Sequence, residues 1–105
     1  MDLVTETYRI TKGFPKEEVF ALTSQLRRAA VSIPSNIAEG QGRLSPNEFR
    51  HFLGQARGSL MELETQLQIS INLSYLNSDS AAAVFDLCSE VGRILNGLLG
   101  SIPKK

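Results

Sequence analysis

Residues 32–40 read Ser32-Ile33-Pro34-Ser35-Asn36-Ile37-Ala38-Glu39-Gly40, a proline set inside an apolar pattern and closed by a glycine. Upstream, Val19, Leu22, Leu26 and Ala29 recur three or four residues apart, the period of a helix with one apolar face. The step from Ile33 to Ile37 keeps that period across Pro34. The reading is therefore one helix over about 15–41, bent where Pro34 removes the hydrogen bond to the Ala30 carbonyl. Gly40 and Gly42 are read as its terminators.

Working outward from it, the other helices follow the same logic. Leu3, Thr7, Ile10 and Phe14 form the seam of a first helix over about 2–12, closed by Gly13 and Pro15. It spans about three turns, too short to be stable without packing. Downstream, Ser45-Pro46-Asn47-Glu48 combines serine at the N-cap, proline at N1 and glutamate at N3, a capping box. A third helix over about 46–76 then carries Phe49, Leu53, Ala56, Leu60, Leu63 and Leu67 on one face. Its far end adds Ile69, Ile71, Leu73, Tyr75 and Leu76, more than one face of apolar residues, which calls for more than one neighbour. Asn77-Ser78-Asp79-Ser80 is a turn and cap. A fourth helix over about 79–100 presents Val84, Cys88, Val91, Leu95, Leu98 and Ile102. Gly92, Gly97 and Gly100 each weaken it by roughly 1 kcal/mol relative to alanine, so either neighbours approach closely there or the end frays. No stretch alternates as a strand does. The expected fold is all-α, an up-down-up-down four-helix bundle with a proline-kinked second helix, in a single domain over residues 1–105.

The 105 residues are 42% hydrophobic and 21% charged with no net charge, an ordinary globular composition. The single cysteine, Cys88, excludes an internal disulfide framework and suits a reducing compartment. The N-terminus has no basic segment followed by an apolar run, and no apolar run approaches the ~20 residues of a membrane span. A cytoplasmic location is expected. The neutrality hides an asymmetry: residues 27–57 carry Arg27, Arg28, Arg43, Arg50 and Arg57 against only Glu39 and Glu48. That arginine-only middle third is the one compositional pointer to an anionic partner.

The run Arg28-Ala29-Ala30-Val31-Ser32-Ile33-Pro34-Ser35-Asn36-Ile37-Ala38-Glu39-Gly40, together with Ala56-Arg57-Gly58-Ser59-Leu60-Met61-Glu62-Leu63-Glu64, resembles the motifs of a small bacterial four-helix-bundle family. Its founding members are encoded by intervening sequences within 23S ribosomal RNA genes. The accessory variability protein of diversity-generating retroelements is a relative. The resemblance implies the bundle fold over essentially the whole chain, with Pro34, Asn36, Glu39 and Gly40 as structural motif residues. It also implies assembly as a homopentamer, a ring of bundles around a channel. Relatives begin upstream of Met1, so the chain is expected to start inside its first helix.

Catalytic chemistry finds little support in the residues. Glu48 and His51 match the Glu-x-x-His motif of di-iron bundles, but those sites need it twice with two further glutamates, and this chain has one histidine. His51 also falls about 180° from the seam of its helix. Asp86 and Glu90 are one turn apart, and Glu62 and Glu64 diverge, with no partner to raise a carboxyl pKa. Cys88 sits on a seam, as a small hydrophobe does. Gly40-Gln41-Gly42-Arg43 follows a helix and lacks the ending of a phosphate loop. The expectation is no enzyme, no metal and no cofactor.

Arg50 and Arg57, seven residues apart, stack along one flank of the third helix with Gly54 between them, while Arg43 lies in the turn and Arg27 and Arg28 on the second helix. Two functional readings result. The first is an oligomer that binds nucleic acid, structured RNA above all, through Arg27, Arg28, Arg43, Arg50 and Arg57. It follows the arginine asymmetry and the retroelement relative, which works with a reverse transcriptase and its RNA, so an accessory role beside a nucleic-acid-acting protein belongs to it. The alternative is a structural or protein-interaction module without nucleic-acid affinity, favoured by zero net charge.

Overall fold

The computed structural model describes residues 2–102. Four helices, α1 (Asp2–Thr11), α2 (Leu22–Gly42), α3 (Pro46–Asn72) and α4 (Ser78–Ser101), are joined by short connections, and the described residues contain no strand. Helix α3 lies between α2 and α4, and α1 closes the bundle against α2 and α4. The diagonal pairs are not neighbours, the arrangement of an up-down-up-down bundle. The molecule measures 46 × 24 × 19 Å, one α3 length in its long dimension.

The seams named from the sequence form one core. Leu3, Ile10, Leu26, Ala29, Ile33, Leu53, Ala56, Leu60, Leu63, Leu67, Val84, Cys88 and Leu95 are buried together. Thr7 and Thr11 enter that core because each hydroxyl donates back to the carbonyl one turn earlier, Thr7 to Leu3 at 2.7 Å and Thr11 to Thr7 at 2.8 Å.

Helix α2 runs unbroken through Pro34, but it does not begin at residue 15. Lys16–Glu18 form a separate 3-10 turn, Ala21 leaves helical geometry, and Val19, read as a seam residue, is 47% exposed while Thr23 is buried in its place. The cause is tertiary. Glu18 turns its carboxylate to accept from the Tyr75 hydroxyl at 2.7 Å and from the Leu22 backbone N–H at 3.3 Å, so the segment is bent into a corner. A local helix pattern does not survive such a competing anchor.

The far end of α2 falls at Gly42, within a residue of the expected end, but one of its two expected terminators has another role. Gly40 does not terminate the helix: an added Cβ would meet Phe49 Cδ1 and Phe52 Cβ, both at 2.9 Å. It is glycine because α3 approaches α2 too closely there for a side chain. The left-handed turn residue is Leu44, with φ of 59°.

Ser45 caps α3 by accepting from the Glu48 N–H at 3.3 Å; the Glu48 carboxylate instead lies 3.7 Å from Arg43. Helix α3 stops at Asn72, four residues short of the expected end. Ser74 adopts φ of 64°, with Ser74 N–H donating to the Ile71 carbonyl and Tyr75 N–H to that of Ser70, both at 2.9 Å. This is a Schellman closure with serine in the position glycine prefers. Asn77 caps α4 by accepting from Ser80 N–H at 2.7 Å. Among the described residues, a Cβ at Gly97 or Gly100 would meet nothing within 4 Å, and one at Gly92 only an ordinary contact with Leu60 at 3.5 Å, so no close helix approach is seen at these glycines.

Candidate nucleic-acid interface

The structure disperses the five arginines and commits three of them to the fold. Arg27 reaches back from α2 to α1, where its Nε donates to Thr11 Oγ1 at 2.9 Å and its guanidinium lies 4.7 Å from the centre of the Tyr8 ring. Arg43 sits beside Glu39 at 2.8 Å and Glu48 at 3.7 Å, over the Phe52 ring at 5.2 Å. These ion pairs are solvent-exposed, so each contributes only ~0–1 kcal/mol.

Arg50 crosses to the C-terminal end of α4, and its Nη2 donates to the Ile102 carbonyl at 2.8 Å and the Leu99 carbonyl at 3.3 Å. A helix end carries unsatisfied carbonyls and partial negative charge, and a guanidinium answers both. Arg28 and Arg57 have no hydrogen bond or ion pair among the described residues, and both are exposed. They do not form a pair. Arg28 lines the groove between α2 and α3 with Ser32, Ser59 and Glu62, whereas Arg57 occupies the α3 flank from which Arg50 reaches α4.

The motif residues explain the turn between α2 and α3. Pro34 lies mid-helix, and Asn36 stitches the next turn by donating from Nδ2 to the Ser32 carbonyl at 2.8 Å. Glu39 pairs with Arg43, and Gly40 receives the two phenylalanines. Of the four, Gly40 is the one that meets α3, while Asn36 bonds within its own helix and Glu39 pairs with the turn residue Arg43.

The remaining reactive groups point elsewhere. Exposed His51 meets Gln55 at 3.0 Å, and Glu48 lies near Arg43, so the Glu-x-x-His pair does not converge. Cys88 is fully buried, and that burial, helped by the charge of Glu64, pushes its thiol up to about 12. A thiol so placed is neither ionised nor reachable at neutral pH. Among the described residues no three or more His, Cys, Asp or Glu gather as a metal site. No described helix is long and apolar enough to cross a membrane.

Two side chains that sequence reasoning passed over stand out. Thr23 Oγ1 and Gln66 Oε1 are buried without a hydrogen-bond partner among the described residues. Thr23 was hidden by the expected continuous helix, in which its hydroxyl would have had a carbonyl one turn back. Gln66 carries no sequence signal that separates it from a surface amide.

The family model described as 23S rRNA-intervening sequence protein matches residues 1–97. A crystal structure of a protein of unknown function from the S23 ribosomal protein family of Bacteroides thetaiotaomicron superposes with a TM-score of 0.79 at 21% identity, over 91% of this chain and 87% of the other. At that identity the likeness speaks for the fold. No curated protein matches.

Proposed function

Because this chain belongs to the 23S rRNA-intervening sequence protein family, we propose that it is a non-catalytic helical module that works in the cytoplasm by assembling with copies of itself. The family resemblance makes the pentamer the expected assembly. The observation that carries this reading is the outer face of α3. Met61, Ile69 and Leu73 are 49%, 41% and 51% exposed and stand with Thr65 on one row of residues four apart. Such a row is a ridge of the kind that packs into the groove of a neighbouring helix. The burial of Cys88 and the divergence of Glu48 from His51 support the non-catalytic half of the proposal.

A second reading, contact with structured RNA or with a nucleic-acid-acting protein, is favoured by one observation. Arg28 and Arg57 present guanidiniums that the fold does not use. Ring assembly repeats both around an axis, and repetition strengthens a weak field.

Light scattering on the wild type and on Ile69→Gln with Leu73→Gln tests the first reading. A wild-type oligomer that falls to monomer mass in the double variant supports it; a wild-type monomer refutes assembly, and an unchanged oligomer mass in the variant refutes α3 as the interface. RNA titration at low and high salt tests the second. Affinity that drops steeply with salt and is lost in Arg28→Gln with Arg57→Gln supports it, and affinity indifferent to those changes refutes it. Arg50 is left intact because it closes α4.

A further inference from the structure

We propose that the start of α2, where it faces α1, is a binding site for a phosphate group. The first turn of α2 is incompletely capped. Ala21, at the N-cap, supplies no side chain; Glu18 answers only the Leu22 N–H, and the N–H groups of Thr23 and Ser24 have no acceptor among the described residues. A helix start in this condition, at the positive end of a 21-residue dipole, suits an anion.

The Thr23 hydroxyl gives the independent sign of a ligand. Thr7, Thr11 and Ser70, the other buried hydroxyls, each donate to the carbonyl one turn earlier. Thr23 cannot, because the chain before it is not helical, and its Oγ1 is left without a partner on a residue only 4% exposed. Two adjoining hollows, of about 390 and 470 Å³, share Val19, Thr23 and Arg27 in their walls.

The charges around these hollows fit an anion. Arg28 lines the first, Lys12 and Lys16 line the second, and among the described residues no carboxylate lines either. The Glu18 carboxylate sits at the head of the same helix, accepting from the Leu22 N–H at 3.3 Å and from the Tyr75 hydroxyl at 2.7 Å, so an incoming anion shares that end with it and depends on the surrounding cations. Arg27 is already oriented by Thr11 Oγ1 and the Tyr8 ring, which occupy its Nε and one face, and its two Nη groups have no acceptor among the described residues. A guanidinium fixed with both ends unused is preorganised for the paired contact that phosphate oxygens accept. Phosphate oxygens at this point would accept from the Thr23 and Ser24 N–H groups, the Thr23 hydroxyl and Arg27.

The same chemistry is offered by a free phosphate or phosphomonoester and by the backbone of a polynucleotide. The site lies on α1 and α2, apart from the α3 ridge, so its test does not depend on assembly through that ridge. The test is an amide chemical-shift titration of the full chain with inorganic phosphate and, separately, with an RNA oligonucleotide lacking terminal phosphates, repeated on Thr23→Val and Arg28→Gln. Saturable shifts at Thr23 and Ser24 are expected. Shifts with inorganic phosphate alone identify a free phosphate or monoester, and shifts with the RNA identify a backbone phosphate. Thr23→Val preserves shape and removes the orphaned hydroxyl, so it should raise the melting temperature while weakening binding about tenfold; Arg28→Gln should weaken binding with the fold unchanged. Unmoved Thr23 and Ser24 amides with both probes, or full affinity in Thr23→Val, would overturn the proposal.

Discussion

Replacing Gly40 by alanine should destabilise the bundle, whereas the same change at Gly58 should stabilise it. At Gly40 the new Cβ would lie 2.9 Å from Phe49 Cδ1, 2.9 Å from Phe52 Cβ and 3.4 Å from Phe49 Cα. Carbon atoms rest comfortably at ~3.5–4.0 Å, so two contacts are short by about 0.6 Å or more. The Phe49 ring edge can rotate away, but Phe52 Cβ is fixed to the α3 backbone and moves only if α3 moves. Overpacking of this kind costs about 1–3 kcal/mol, and the gain in helix propensity of about 0.5–1 kcal/mol offsets part of it. The expected net loss is about 0–2.5 kcal/mol. At Gly58 nothing lies within 4 Å of the added Cβ, and only the propensity gain of about 0.5–1 kcal/mol remains. For a domain near this size each kcal/mol shifts the melting temperature by roughly 4–8 °C, so thermal unfolding followed by circular dichroism separates the two variants. Equal melting temperatures for Gly40→Ala and Gly58→Ala would refute the close approach of α2 and α3.

Arg50→Ala should leave the Leu99 and Ile102 carbonyls without their charged donor and lower stability by about 1–3 kcal/mol. Hydrogen exchange should show the loss concentrated in the last turn of α4. Leu44→Gly and Ser74→Gly each relieve a left-handed residue, at φ of 59° and 64°, and should each raise stability by about 0.5–1 kcal/mol in chemical denaturation; a destabilised pair would count against both turns. Alkaline pH should destabilise the protein. The hydrogen bond to Glu18 holds the Tyr75 phenol above its ordinary 10.0, and burial holds Cys88 at about 12 against an ordinary 9.0. The unfolded chain therefore releases these protons first, and the stability they contribute, complete below about pH 9, is lost as pH rises through the folded values. Cys88→Ala and Tyr75→Phe together should flatten that decline.

The helices were legible because their signals are local: the seams, the Ser45 and Asn77 caps and the passage of α2 through Pro34 all depend on residues within a turn or two. The corner at residues 19–21 was not, since it is bent by a hydroxyl 57 positions from Glu18. The same distance effect governs the arginines. Their clustering in the sequence suggested one surface, yet Arg27 finds its partner 16 residues away and Arg50 its partners 49 and 52 away. Period and spacing place a long cationic side chain on a helix, but not the end of another helix that it will reach. Gly40 shows the converse: the motif was readable, and its reason, two phenylalanine contacts across a turn, was not.

The closeness of α2 and α3 also bears on how the chain folds. These helices make the most extensive pairing in the bundle and are joined only by Arg43, Leu44 and Ser45, whereas α1 meets α4 only when opposite ends of the described chain come together. Closing a three-residue turn loses far less chain entropy than closing the whole bundle, and local pairings set the pace of folding. The α2–α3 hairpin is thus expected to be the first substantial structure to condense, with Gly40, Phe49 and Phe52 in its nucleus, and α1 to dock late. Substitutions at Gly40 then slow folding itself, while those where α1 meets α4 act chiefly by speeding unfolding.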